Sequence, residues 1–335
     1  MWLVENSTPY AAERSIVIDK RGERHWVVVV KGTFDILPGG VTRASAEQLP
    51  PLAAPVYVGK DGESSLLYDQ ELQAAKPRSE VYVNGYAYAP QGQPTTRVNV
   101  GLSTPQGTKT LAVVGDRRWE RDLVGGVVTT PPLPFLKLPI TYERAWGGYD
   151  KTDPDASKHR LDPRNTVGTG VVSRVAHRVG QCVPNIEFPG RDLETSGPAG
   201  FGALCSFWHP RTTFQGTYDA KWMESRKPLL PEDFDPQWFQ CAPVDQQLAK
   251  RLYGGETLAV VGMSTTGTLQ FTLPKHYFAF TTRIGSKRLE HRAQIDTVVI
   301  EPEHPRVIVI WHTTLSCHHQ IDDIDATMIT EKPYV

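Results

Sequence analysis

TRVNVGLSTPQGTKTLAVV, residues 96–114, decides the fold class. Residues 96–102 and 108–114 are rich in Val, Thr and Leu, types that suit a pleated, half-buried surface. Pro105-Gln106-Gly107 between them is turn punctuation. Two strand-like runs joined by a short Pro/Gly turn predict an antiparallel hairpin. The same grammar extends outward. Residues 14–19, 25–31 and 80–88 precede it as strand-like runs. Residues 257–263 and 268–273 flank Ser264-Thr265-Thr266-Gly267, and residues 296–301 and 306–313 flank Pro302-Glu303-His304-Pro305. Short strands with tight turns at both ends predict a mainly β protein: antiparallel sandwich or open-barrel sheets, with few short helices.

Gly85 interrupts the 80–88 run and predicts a bulge or bend there. The string TLAVVG occurs at 110–115 and again at 257–262. Nothing longer repeats around it, so shared strand composition accounts for it better than duplication. Residues 243–252, with proline near the start and basic residues near the end, predict a helix of two to three turns. Residues 64–75 are a second helix candidate. Residues 322–335 carry little pattern and read as a flexible end.

The middle of the chain differs. Residues 139–246 form a series of Gly/Pro/Trp phrases with no sustained helical or strand period, and they hold Trp146, Trp208, Trp222 and Trp238. Linkers are poor in aromatics, so the segment reads as ordered loops. Ordered long loops on a rigid scaffold usually carry function. The expected organisation is one domain over 1–315, β-rich at 1–138, loop-rich at 139–246 and β-rich at 247–315, with a C-terminal tail at 316–335.

Composition narrows the function classes. With a net charge of −1 and a pI near 6.8 there is no global field to attract nucleic acid or an anionic membrane. No apolar run approaches the roughly 20 residues that cross a bilayer. The start, MWLVENSTPYAAERS, lacks a signal peptide's basic and apolar regions, so the expected location is cytoplasmic. Cys182, Cys205, Cys241 and Cys317 are widely spaced, without a Cys-x-x-Cys pair. Cys317-His318-His319 alternates faces if extended and cannot readily grip one metal. No metal or cofactor is expected.

Catalytic constellations are equally sparse. Glu143, Asp150, Glu187, Asp192, Asp219, Glu232, Asp233 and Asp235 stand among tryptophans, so a carbohydrate-active enzyme with paired carboxylates is an alternative reading. The plainer one is that these acids cap loop amides or pair with Arg144, Arg191 and Arg211. There is no Gly-x-Ser-x-Gly elbow and no phosphate loop, and Gly168-Thr169-Gly170 reads as a turn. Gly115-Asp116-Arg117-Arg118-Trp119 and Tyr142-Glu143-Arg144-Ala145-Trp146 set guanidinium beside aromatic, which suits either internal stapling or a rigid partner surface. Trp, Tyr and Arg dominate binding hot spots. That makes Trp146, Tyr149, Trp208, Arg211, Trp222 and Trp238 the partner-contact candidates, with no catalytic residue assigned.

An ordered set of phrases carries a resemblance. Val83-Asn84-Gly85, Gly115-Asp116-Arg117, Leu138-Pro139-Ile140, Tyr142-Glu143-Arg144-Ala145-Trp146-Gly147-Gly148, Asn165-x-Val167-Gly168, Pro184-Asn185-Ile186-Glu187, Pro198-Ala199-Gly200-Phe201-Gly202, Trp208-x-Pro210-Arg211, Gly216-Thr217-Tyr218-Asp219, Pro231-x-Asp233-Phe234 and Ala242-Pro243-x-Asp245-Gln246 together resemble the bacterial domain of unknown function 2169. The resemblance covers roughly residues 1–310. It implies a non-enzymatic cytoplasmic adaptor or chaperone that binds a type VI secretion effector and loads it onto a PAAR-type or VgrG-type spike. A structural component of the secretion apparatus is a further alternative.

Overall fold

A computed structural model describes residues 2–317 and 320–332. His318 and His319 of the Cys-His-His run lie outside the described residues. The first third runs through β1 (Leu3–Asn6), β2 (Ala11–Ile18), β3 (Arg24–Ile36), β4 (Thr42–Ala44), β5 (Val56–Tyr57), β6 (Leu66–Tyr68), β7 (Glu80–Val83), β8 (Tyr86–Tyr88), β9 (Arg97–Thr104), β10 (Gly107–Val114), β11 (Trp119–Arg121), β12 (Val127–Thr129) and β13 (Lys137–Pro139). The middle holds the brief strands β14 (Trp146–Gly147), β15 (Tyr149–Asp150), β16 (Arg160–Leu161), β17 (Thr169–Gly170) and β18 (Ile186–Glu187), with the short helices α1 (Leu193–Ser196) and α2 (Ala220–Ser225). The last third is β19 (Thr257–Val261), β20 (Thr268–Thr272), β21 (Phe278–Ile284), β22 (Lys287–Arg292), β23 (Gln294–Glu301), β24 (Arg306–Ser316) and β25 (Ile324–Glu331).

The protein is mainly β, and among the described residues no sheet closes into a barrel. The 96–114 stretch forms the expected hairpin, β9 against β10, at the centre of a sheet ordered β18-β10-β9-β19-β20. The two TLAVVG strings lie on β10 and β19, which flank β9 on opposite sides. The β19–β20 and β23–β24 hairpins also form as read. Gly85 marks a break: the chain leaves one sheet at the end of β7 and enters the small β8–β13 pair.

The largest sheet is ordered β2-β3-β24-β23-β7, with β4 on the far end of β3. Its centre is the run Trp26–Val30 of β3, buried on both faces. Side chains alternate along a strand. One face carries Trp26, whose indole donates to Thr327 Oγ1 at 2.8 Å and so locks on the sheet β1-β25-β21-β22. The other face carries Lys31, paired at 2.7 Å with Glu71. The two sheets thus pack as layers, and one continuous apolar core joins residues from all three regions of the chain, from Tyr10 through Trp208 to Ile329.

Three local expectations are corrected. Ile324–Glu331, read as part of a flexible tail, is β25, a strand between β1 and β21. Its buried positions, Ile324, Ala326, Thr327 and Ile329, keep no clean two-residue alternation, so the strand does not stand out in the sequence, yet pairing in the sheet fixes it. Residues 243–252 form only a 3₁₀ turn at Val244–Gln246, because Ser79 and Glu80 take up the following backbone as strand-like bridges. Residues 64–75 contain β6, not a helix.

Candidate functional site

Several of the phrases that carry the resemblance meet around one open cleft of about 860 Å³. One wall is the bend Asn84–Tyr86 and the stretch Pro139–Glu143. The opposite wall is Ser64–Tyr68, and the β23–β24 turn closes the end with Glu301, Glu303 and Arg306. The bend and the stretch are joined by main chain, Ile140 N–H to Gly85 C=O at 3.0 Å. Asn84 donates across to the Leu67 carbonyl at 2.8 Å.

Every carboxylate of the cleft already has partners. Glu143 accepts from Ser65 N–H at 2.7 Å and Ser65 Oγ at 2.9 Å. Burial pushes its pKa up, but these hydrogen bonds outweigh it and hold the carboxyl below its usual range. Glu301 takes Tyr68 Oη and Arg306 Nε, while Glu303 takes Tyr88 Oη and, at 2.7 Å, Lys137 Nζ. The Lys137 hydrogen bond, then that of Tyr88, keeps Glu303 below its usual range. Lys137 also lies 4.0 Å over the Tyr86 ring. The cleft is therefore an amphipathic groove in which Glu301 and Glu303 are ion-paired and Glu143 is a hydrogen-bonded carboxylate, suited to binding.

Behind it lies a buried polar lattice that ties the loop segment to the sheets. Glu80, fully buried on β7, accepts from Gln240 Nε2 at 2.7 Å and from the backbone N–H of Cys241 and Ala242 at 3.0 Å each, and pairs with Lys76. Burial disfavours its charge, but Lys76 and the donors outweigh that and keep the carboxyl low. Asp296 binds Arg251 at 3.0 Å and His312 at 3.2 Å. Burial pushes the Cys205 thiol up to about 12 and the Cys241 thiol well above its ordinary value, so neither is a thiolate at neutral pH.

The loop segment is built by short polar clamps. Asn165, fully buried, donates to the carbonyls of Tyr142 at 2.7 Å and Trp146 at 3.0 Å. Gly147 fits only because it lacks a side chain: at φ +150° a Cβ would stand 2.3 Å from the Asn165 carbonyl oxygen. The carboxylates read as candidate acids behave as caps and staples. Asp150 holds Thr152 and Ser173, Glu187 pairs with Arg117 and Arg97, Asp233 holds Thr217, and Asp192, Asp219 and Asp235 cap helical turns. Glu232 pairs with Arg226. The stacking arginine differs from expectation. Arg144 pairs with Asp116, and it is Arg178, not Arg117 or Arg118, that stacks between Trp119 and Trp146.

The structure separates the six partner-contact candidates. Trp146, Trp208 and Arg211 are 3%, 0% and 1% exposed, and burial withdraws them from any partner surface. Trp146 donates to Asp162 Oδ2 at 3.1 Å and Trp208 to Thr166 Oγ1 at 2.9 Å. Arg211 donates to the carbonyls of Leu204 and Trp238, pairs with Asp69 at 2.9 Å and lies over the Trp238 ring. Tyr149 is half exposed. Trp222 and Trp238 are half-buried, Trp222 with its indole N–H on the Leu229 carbonyl and Tyr218 edge-on at 4.7 Å. Exposed Phe207, Tyr218 and Met223, missed from sequence, join them on the loop surface. No periodicity distinguishes these residues from the buried aromatics.

Among the described residues, Asp19, Glu23 and His25 form the cluster closest to metal-ligand spacing. Asp19 there is engaged by Arg21 N–H, Glu23 N–H and His25, which accounts for it as a turn staple. No helix of the described residues is long and apolar enough to cross a membrane. Residues 21–312 match the model of a family described as an uncharacterized protein conserved in bacteria (DUF2169). No curated protein and no solved structure matches the chain.

Proposed function

The chain belongs to the DUF2169 family, and on that premise we propose that it is a non-enzymatic adaptor, or chaperone, that binds a type VI secretion effector in the cytoplasm and helps load it onto a PAAR-type or VgrG-type spike. The observation that carries this reading is the contrast within the loop segment. Its acids are consumed by caps and ion pairs, while Tyr149, Phe207, Tyr218 and Met223 stand in solvent, Tyr218 and Met223 at the Asp219 cap and Tyr149 beside the Asp150 clamp. Exposed aromatics on rigid backbone lose little entropy on binding and form the anchors of protein interfaces. The open cleft adds a second surface able to receive a peptide. The carbohydrate-active reading lacks a comparable support, since each candidate acid already has its partners.

The test is co-expression with the effector encoded beside this chain. A stable complex should form, and Tyr218→Ala with Trp222→Ala should weaken it without unfolding the adaptor. Deleting the chain should stop delivery of that effector while spike secretion continues. Failure of effector and spike proteins alike to co-purify with the intact chain would sink the reading.

A further inference from the structure

The β11–β12 hairpin carries a feature that the core does not explain. Its pairs are Trp119 with Thr129, Glu120 with Val128 and Arg121 with Val127. Asp122 N–H bonds Gly126 C=O, and Thr130 N–H bonds Arg118 C=O. In an antiparallel ladder, hydrogen-bonded pairs alternate with unbonded ones. The bonded positions of β12 are therefore 126, 128 and 130. Val127 and Thr129 turn their N–H and C=O groups outward, to the edge away from β11. The other side of the hairpin obeys the same phase: Trp119, which points away from β12, exchanges bonds with Gln181 C=O and Gly180 N–H. Among the described residues no strand pairs with the outer edge of β12.

The surroundings of this edge are also unusual. Edge strands are commonly blunted by charge, as β22 is with its sequence KRLEHR. β12 is Val-Val-Thr, and the turn before it exposes Leu123 and Val124 completely, at 106% and 92%. That turn is stiff. Asp122 Oδ1 accepts from Val124 N–H at 3.0 Å and Gly126 N–H at 2.6 Å, and Gly125 supplies a φ of +84°. A Cβ on Gly126 would stand 2.7 Å from the Asp122 carboxylate.

We infer that the outer edge of β12 is a strand-addition site for an extended, uncharged segment of a partner protein, which pairs with Val127 and Thr129 and covers Leu123 and Val124. Two donors and two acceptors set two residues apart match the backbone of an extended chain and no compact ligand. A second copy of this chain fits less well. It would meet the edge with three residues on each side, far below the roughly 1,000 Å² that a stable dimer needs. A cargo segment instead adds this strand to contacts made elsewhere, so the inference rests on the adaptor reading for its partner.

The experiment uses the full chain and the effector encoded beside it, with overlapping 12-residue peptides that tile that effector as the probe. Thr129→Pro deletes one outward N–H and leaves the bonds to β11 in place, as proline is tolerated on edges. Thr129→Ala keeps the N–H and is the control. Val127→Pro deletes the other outward N–H and replaces Thr129→Pro if that variant unfolds. The expected result is that a peptide with alternating apolar residues binds wild type and the alanine variant, and binds the proline variant about tenfold more weakly. Amide exchange should slow at Val127 and Thr129 on binding, while Val128, already bonded to Glu120, changes little. Equal binding by the proline variant, with the effector complex intact, overturns the strand-addition site and leaves the adaptor reading standing. Loss of the effector complex in wild type overturns both. A peptide-independent dimer that Thr129→Pro dissolves assigns the edge to a second copy and overturns the cargo assignment.

Discussion

Replacing Arg211 with methionine separates a structural staple from a partner contact. In the structure this guanidinium is 1% exposed and ties together three separate stretches of the chain, around Asp69, Leu204 and Trp238. Nη1 donates to the Leu204 carbonyl at 2.7 Å, Nε to the Trp238 carbonyl at 3.0 Å, and Nη2 faces Asp69 Oδ2 at 2.9 Å. The Asp69 contact is not aligned as a hydrogen bond, so charge holds that pair. Arg211→Met keeps the apolar stem and removes the charge. It leaves the nearly buried Asp69 carboxylate uncompensated, which costs about 3–5 kcal/mol for a buried pair. The freed carbonyls lie within that same range of loss, so about 4 kcal/mol is the expected net destabilisation. For 335 residues the unfolding entropy is about 0.7 kcal/mol/K, so the melting temperature should fall by about 6 °C. Adding Asp69→Leu should return most of the loss, because replacing both partners removes the orphan charge. The assay is urea unfolding followed by tryptophan fluorescence, with Trp238 under the guanidinium as a local reporter. A loss below about 1 kcal/mol, together with weakened effector binding, would refute the staple and restore Arg211 as a contact.

Other expectations follow from the same structure. His291, hydrogen-bonded to Thr282 at 2.7 Å and Thr313 at 2.6 Å, is held neutral by burial, which pulls its pKa down to about 4. Its unfolded value is about 6.5, so the unfolded chain binds the extra proton first, and the stability present above pH 6.5 is lost as pH falls towards 4. The loss should reach about 3 kcal/mol. His291→Gln should flatten the stability profile over that window, and parallel profiles for variant and wild type would reject the assignment. Truncation after Gln320 removes β25 and uncovers Trp26 and Phe280, so the product should be insoluble or lack a cooperative transition; a soluble, cooperatively melting truncation would contradict the strand's role. Gly148→Ala places a Cβ 2.4 Å from the Gly168 carbonyl oxygen at φ +106°, and calorimetry should show a loss of at least about 2 kcal/mol. An unchanged melting temperature would mean that the two loop phrases do not meet as described.

The sequence by itself determined the elements that rest on neighbours in the chain. The hairpins β9–β10, β19–β20 and β23–β24 are written in β-branched runs and in turn residues a few positions away, so no distant partner is needed to specify them. The break at Gly85, the order of the loop segment and the capping role of its acids were legible for the same reason. Tertiary structure alone decided the rest. Val244–Gln246 stops as a single turn because Ser79, far back in the chain, accepts the next backbone N–H from Leu248. β25 is a strand because β1 and β21, at least 40 residues away, supply its hydrogen bonds. Likewise Trp208 and Trp222 sit in similar Gly/Pro/aromatic phrases, yet one is buried against Tyr142 and Thr166 and the other stands half in solvent. A loop without a period carries no signal of which side faces the core. That choice is made by side chains brought from elsewhere: Asp69 across to Arg211, Glu80 across to Cys241, and Glu301 and Glu303 into the cleft. The outward phase of Val127 and Thr129 belongs to the same class, because only the pairing register shows which backbone groups of β12 are left open.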